Sequence, residues 1–290
     1  MGRCADALSA VCRLFLTSCA PIFRNILLCV SSQRRLRLYH LLLGPSIDGF
    51  PVYPFRFGIP LVLKQTNRTV STEAHALLSL NKLFPHPLIP TLIDSFQIDG
   101  VTWTLMTKLP GCGLDEVHEN LTDDQITLIC GQVLTVMRDV WRVPQPSELG
   151  GQVMVSASGH GLKTPRTFFE FIGKPRASIA DCFQTVIDDW DDQPPAVKEV
   201  LTNDRVVWVH VDLCMRNILV TPHDGRLSGI VDWEDSAWLL RSWLLHVQRQ
   251  LRLGCAGYWW HYWNNEHRFE PELEAAYSAA NEILSFYLAP

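Results

Sequence analysis

Lysine is missing from the first 45 residues of this 290-residue chain, and Asp6 is the one acid there, although six arginines are present. The apolar runs of that stretch, "RLFLTSCAPIF" and "NILLCVSS", are interrupted by Arg13 and flanked by Arg24. Neither offers the apolar core of a signal peptide or the roughly 18 to 20 residues of a membrane span, so no integral membrane span is expected. "MGRCAD" lacks the Ser or Thr that a myristoylation start carries at its sixth position. No C-x-x-C pair occurs, and the nine cysteines are scattered and odd in number, which fits free thiols in a reducing, cytoplasmic setting. Internal repeats and low-complexity tracts are also absent. With a net charge of only −5 and no basic stripe in its body, the chain lacks the footprint of a nucleic-acid-binding surface, and no nucleic-acid partner is expected.

What is present describes a folded globular protein, 47% hydrophobic and 19% charged. Its length exceeds the commonest single-domain size, so one large domain or two lobes sharing a cleft is expected. Residues 1–45 read as a basic amphipathic leader, packed on the body or partly disordered. Residues 52–64, "VYPFRFGIPLVLK", alternate as strands do. "TVSTEAHALLSL" then switches to helical spacing, with Ser71 or Thr72 as the cap and Glu73, Leu77 and Leu80 on one face. "PTLIDSFQIDGVTWTLMTKLPG" reads as a hairpin about Asp99-Gly100 that ends at Pro110-Gly111. Residues 46–111 thus form a small lobe of antiparallel sheet plus one helix.

Residues 112–290 read as a larger helical lobe. Thr122 caps a helix carrying Ile126, Ile129, Val133 and Val136 or Met137 along one stripe. Residues 144–165 resemble an irregular insertion, "TFFEFIG" and "ASIADCFQTVIDDWDD" suggest helical pieces, and "EPELEAAYSAANEILSFYLA" suggests a final helix. The acids of residues 188–192 are assigned to a solvated face, and "YWWHYWNNEH" to core packing rather than a substrate pocket.

The most informative stretch is residues 209–235, "VHVDLCMRNILVTPHDGRLSGIVDWED". Asp224-Gly225 is a two-residue hairpin signal. A turn centred there sets Val220 opposite Gly229, Ile218 opposite Val231 and Asn217 opposite Asp232. Opposed Cα atoms lie roughly 4.5 to 5.5 Å apart, so amide and carboxylate oxygens would meet at one cation. Hard oxygen ligands of this kind suit Mg²⁺, which completes its shell with water and phosphates. Asp212, beside them, supplies what phosphoryl transfer needs: a carboxylate that orients a hydroxyl and accepts its proton. Asp and Asn are also favoured in turns and caps with no function attached, and Lys64 and Glu73 each have a plain structural reading, as a strand-end lysine and a first-turn carboxylate.

"HVDLCMRNILV" followed by "GIVDWED" resembles the aminoglycoside phosphotransferase and choline kinase family, relatives of the protein kinases. "LVLKQTNRTVSTEAHALL", "PTLIDSF" and "TWTLMTKLPG" are similar to that family's small lobe, so the resemblance runs over residues 52–238. It implies an α+β, two-lobed protein-kinase-like fold. It also implies a catalytic base at Asp212, metal ligands at Asn217 and Asp232, Lys64 on the α/β phosphates of ATP with Glu73 paired to it, and an adenine hinge at Met106, Thr107, Lys108 and Leu109. His210 would brace the catalytic loop. The implied reaction is Mg²⁺-dependent transfer of the γ-phosphate of ATP to a hydroxyl of a small molecule. No D-F-G, A-P-E or H-R-D stands in the chain, which argues against a protein substrate.

Three features depart from the family pattern. No G-x-G loop precedes Lys64, where only Gly44, Gly49 and Gly58 stand beyond Gly2. Val211 replaces the motif glycine, and the segment after "DWEDSAW" is unlike the family's. They leave open a rival from another class, a catalytically silent pseudokinase that serves as a nucleotide- or protein-binding scaffold.

Overall fold

A computed structural model describes residues 2–47, 49–161, 175–186, 190–222, 225–249 and 257–284. The "TFFEFIG" helix, Asp188, Asp189 and His223 lie outside the described residues. The chain divides into two compact units, one of Met1–Pro110 with Gly229–Glu234, the other of Gly111–Ser228 with Asp235–Pro290.

The first unit opens with two helices, α1 (Gly2–Leu28) and α2 (Ser32–Leu42). A four-stranded antiparallel sheet follows, built from β1 (Val52–Pro54), β2 (Leu61–Thr66), β3 (Leu92–Ile98) and β4 (Val101–Thr107) in the order β1-β2-β4-β3, with α3 (Glu73–Leu83) between β2 and β3. The single alternating run of residues 52–64 is thus two strands, split by a connection in which Phe57 and Gly58 both take positive φ. Asp99 and Gly100 do the same at the β3–β4 turn, where Ile98 pairs with Val101. Two positive φ values at the turn centre match the twist of the flanking strands.

Side chains alternate across a strand, so this sheet has two chemically different faces. Leu61, Leu63, Trp103, Leu105 and Phe96 pack with Ala20, Tyr39 and Leu43 of the N-terminal segment. Val62 and Lys64 point the other way and stand opposite Met106 and Thr104 of β4. Thr72 is the N-cap of α3, and its N–H donates to His75 Nδ1. Leu77 and Leu80 of that helix are buried. Complete burial of a leucine such as Leu63 or Leu77 stabilises by about 2 kcal/mol.

A bulge in β3 redirects one charge. Leu92 pairs with Met106 but Asp94 pairs with Leu105, so Ile93 is an extra residue and Asp94 shares the face of Leu105. There Asp94 Oδ1 accepts from Arg35 and Oδ2 accepts from the Tyr39 hydroxyl at 2.8 Å, while the Arg35 guanidinium lies 4.7 Å from the centre of the Phe96 ring. The N-terminal segment is therefore helical over most of its length, and its inward side belongs to the sheet's core.

The second unit begins with β5 (Cys112–Gly113), α4 (Leu114–Val117) and α5 (Asp123–Val140). Thr122 caps α5 reciprocally: Gln125 N–H donates to Thr122 Oγ1 at 3.3 Å and Thr122 N–H to Gln125 Oε1 at 2.9 Å. Ile126, Ile129, Val133, Val136 and Met137 are all buried. Next come β6 (Val155–Ser156), α6 (Ile179–Val186), α7 (Pro195–Thr202) and β7 (Val206–His210). They are followed by β8 (Ile218–Val220), β9 (Leu227–Ile230, of which Gly229 and Ile230 count with the first unit), β10 (Ser236–Leu240), α8 (Trp243–Arg249), α9 (Gly257–His261) and α10 (Pro271–Leu284).

This unit holds more sheet than its sequence pattern suggests. β6 lies inside the segment read as an irregular insertion, and β10 is the run "SAWLL", buried at every position. A continuous apolar run of this length has no periodicity to separate strand from helix. The two strands form the sheet β6-β10-β7, in which Trp238 pairs with Trp208 and their rings meet edge to face at 4.2 Å. A second sheet has the order β5-β8-β9. Trp259, Tyr262 and Trp263 are buried with Phe269, so "YWWHYWNNEH" is a packing element.

Candidate active site

Each unit carries one group of the residues singled out from sequence. In the first unit the group centres on Lys64. Its ammonium lies 2.7 Å from Asp232 Oδ1, 3.0 Å from Glu73 Oε2 and 3.5 Å from Glu234 Oε2. β2 supplies the lysine and the first turn of α3 supplies Glu73. The two acids of the "DWED" loop come from residues 229–234, which belong to this unit despite their distance in sequence. Burial alone would lower the pKa of Lys64, but Asp232, Glu73 and Glu234 outweigh it and hold the group well above a lysine's ordinary value. It is a fixed cation.

Local backbone chemistry places these acids. Asp232 adopts a φ of 63°, a left-handed conformation that Asp tolerates better than most residues. The next N–H, of Trp233, donates to Glu73 Oε1 at 3.1 Å, and the Trp233 indole N–H donates to the Ile230 carbonyl at 2.8 Å. Glu73 therefore binds Lys64 with one oxygen and the "DWED" backbone with the other. Glu234 is pushed up to about 7 by burial, which the Lys64 ammonium opposes and the Asp232 carboxylate reinforces.

Met106 and Thr107 end β4, and Lys108 and Leu109 follow it. Thr107 N–H donates to the Thr91 carbonyl, Thr107 Oγ1 accepts from Thr91 N–H, and Lys108 N–H donates to the Pro60 carbonyl at 2.8 Å. Met106 stands opposite Val62, on the face that carries Lys64. Leu109 packs against Gly229, where an added Cβ would lie 2.5 Å from Leu109 Cδ1. That close approach explains the glycine of "SGIVDWED". The connection between β1 and β2 has Gly58 as its one glycine, next to an exposed Phe57.

In the second unit the group is Asp212 and Asn217, on the loop between β7 and β8. The Asn217 amide donates to the Asp212 carbonyl at 2.7 Å and to Asp212 Oδ2 at 3.1 Å. Cys214 N–H also donates to the Asp212 carbonyl, and Asn217 N–H to the Cys214 carbonyl. Val211 is buried, gives its N–H to the Asp235 carbonyl at 2.9 Å and does not take positive φ, so a Cβ is accepted where the family pattern has glycine. His210 is completely buried and pairs with Ser236 across β7 and β10.

The hairpin register differs from the one read from sequence. Thr221 N–H donates to the Arg226 carbonyl, so Thr221 is opposed by Arg226. A turn centred on Asp224-Gly225 would oppose it with Ser228. The pairing is displaced by two residues, with Gly225 N–H returning to the Thr221 carbonyl; Asp224 itself lies outside the described residues. The opposition of Asn217 to Asp232 does not follow from this register.

Two contributors escaped the sequence reading. Gln248 of α8, completely buried, donates to the Leu213 carbonyl at 2.5 Å and accepts from the Trp259 indole at 3.0 Å, which braces the Asp212 loop. Its signal was a lone amide in the apolar run "WLLHVQR". Glu234 carries no sequence signal of its own, since a second acid after Asp232 has no pattern to distinguish it from a loop charge.

Oxygen donors predominate among these acids and amides, as Mg²⁺ requires. Among the described residues no cluster of three or more His, Cys, Asp or Glu has metal-holding geometry. A cation that takes one or two protein ligands and fills its shell with phosphate and water needs no such cage.

Comparison with known proteins accords with these features. The sequence profile described as "Phosphotransferase enzyme family" matches residues 55–282. A search of curated proteins returns no match. Among solved structures, the aminoglycoside phosphotransferase APH(4)-Ia is similar with a TM-score of 0.56 and 15% identity, over 86% of each chain. The apo form of a thermostable mutant of that protein gives 0.53 and 15%, over 84% of each. At this identity the likeness shows the fold, a protein-kinase-like α+β arrangement, while the profile match spans most of the chain. On that match, the chain belongs to the phosphotransferase enzyme family.

Proposed function

We propose that this protein transfers the γ-phosphate of ATP to a hydroxyl of a small molecule, with Mg²⁺ held by Asp232 and Asn217. The observation that carries the reading is the Lys64 cation, fixed by Glu73 at 3.0 Å and Asp232 at 2.7 Å on a buried sheet face. Lys64 exchanges part of its carboxylate shell for the α/β phosphates, and Glu73, still tied to Trp233 N–H, keeps it in place. With its Nδ2 turned to Asp212, Asn217 has Oδ1 to offer a cation. Bound Mg²⁺ would neutralise phosphate charge. Asp212 orients the acceptor hydroxyl and takes its proton. Met106, Thr107, Lys108 and Leu109 line the adenine, and a reducing, cytoplasmic setting accords with the scattered cysteines.

Fold and chemistry do not fix the acceptor. Aminoglycosides, named for the structural relative, enter as one class in a panel of hydroxyl compounds. The test is ADP release with Mg-ATP against that panel, for wild type and Asp212→Asn. We expect turnover with at least one acceptor and a loss of about 10² to 10⁴ in the variant. A variant as active as wild type refutes the role of Asp212. Nucleotide binding without transfer to any acceptor favours the silent-scaffold reading, whose support is the lack of a G-x-G loop before Lys64 and the atypical segment after "DWEDSAW".

A further inference from the structure

We propose that α1 and α2 form a peripheral docking surface for a membrane leaflet rich in anionic lipid. Their inward sides are already used: Ala20, Arg35 and Tyr39 are buried in the core of the first unit. Their outward sides are apolar. On α1, Phe15, Ile22 and Ile26 are 60%, 61% and 59% exposed and follow one another at helical spacing. On α2, Leu38 and Leu41 are 54% and 75% exposed, and Arg34 and Arg37 stand with them on the exposed side, opposite Arg35 and Tyr39. Exposed aliphatic side chains in this number, on helices otherwise anchored to a core, are a surface awaiting a partner.

Charge selects the partner. From residue 7 to residue 47 there is no acid, and the first 45 residues hold six basic groups against one acid. The rest of the chain holds 19 basic groups against 29 acidic ones. A polyanionic surface attracts the helices and repels the body, which orients the molecule as well as binding it. A second copy of the same surface would bring arginines against arginines. Among the described residues no helix is long and apolar enough to cross a membrane, so the helices lie in the interface, with Phe, Ile and Leu side chains sunk into the boundary between headgroups and acyl chains.

The test is flotation of the full chain with vesicles of phosphatidylcholine alone or containing phosphatidylserine. Binding is expected only with phosphatidylserine and should weaken as salt is raised. Arg34→Gln with Arg37→Gln should lower partitioning about 25-fold, at about fivefold per arginine, and Ile22→Ser with Ile26→Ser should abolish it. Both double variants touch only outward positions and should keep the wild-type circular dichroism and thermal transition. Failure of wild type to bind at low salt, or variants that bind as well as wild type, overturns the proposal. Self-association through Ile22 and Ile26 without vesicle binding also overturns it and assigns the surface to a second copy.

Discussion

The Arg35–Asp94 pair offers a quantitative test of the claim that the N-terminal helices are part of the fold. The two side chains are 7% and 4% exposed. Arg35→Met removes the cation and leaves a buried carboxylate held only by neutral donors, the Tyr39 hydroxyl and the Ser95 N–H, which for pairs this deeply buried costs about 3 kcal/mol. Hydrogen exchange should report the loss as a fall of about 100-fold in amide protection across α2 and β3. The pH dependence has a definite sign. Burial already raises the pKa of Asp94 against the opposing Tyr39 hydrogen bond and Arg35 charge. Without Arg35 it rises further, so the folded variant holds a proton that the unfolded chain releases. The variant therefore loses stability as pH rises, and its deficit relative to wild type is larger at pH 8 than at pH 5. Arg35→Met combined with Asp94→Asn, which keeps an acceptor for Tyr39, should recover most of the loss. Unchanged protection of α2 in the single variant, or strict additivity in the double, would refute the reasoning.

Other expectations can be checked on the nucleotide-free protein. Lys64→Met removes the cation shared by Asp232, Glu73 and Glu234 and should destabilise the first unit by about 3 kcal/mol in urea unfolding, with partial recovery when Glu73→Gln is added; an unshifted midpoint contradicts the buried network. Glu234 has a folded value of about 7 against an ordinary 4.5, so its contribution to stability is complete below pH 4.5 and is lost as pH rises to 7. The stability of Glu234→Gln relative to wild type should therefore grow between pH 5 and 8 by up to ~3 kcal/mol, and a flat difference would show that the carboxyl is ionised throughout. Gly111 has a φ of 100°, and an added Cβ would lie 2.4 Å from Ser228 Oγ and from the Val220 carbonyl. Gly111→Ala should cost about 1 to 3 kcal/mol, measured as a lowered thermal transition.

Features governed by local chemistry were legible in the sequence. Asp99-Gly100 and Thr122 act through neighbours two or three residues away, and the stripe from Ile126 to Met137 follows helical periodicity without interruption. Lys64 and Glu73 could be named as a pair, but only through resemblance, since nothing local joins a strand lysine to an acid nine residues on. What escaped depends on distant partners. "SAWLL" becomes a strand because Trp208 and Val155 flank it, and the same apolar run would suit a buried helix. The N-terminal segment shows its arginines plainly, yet its docking depends on a bulge at Ile93 that turns Asp94 toward Arg35, and no sequence rule announces that bulge. The hairpin register slipped by two, because Thr221 N–H bonds to the Arg226 carbonyl where the Asp-Gly signal alone would oppose Thr221 with Ser228.

The central claim is that Asp232 holds a metal on which nucleotide binding depends. Calorimetric titration of ATP with and without Mg²⁺, on wild type and on Asp232→Asn, tests it most directly. We predict that wild type binds ATP more tightly with Mg²⁺ and that Asp232→Asn loses the difference while remaining folded. A folded wild type with no Mg²⁺-dependent binding, or a variant that keeps the full metal dependence, would contradict it.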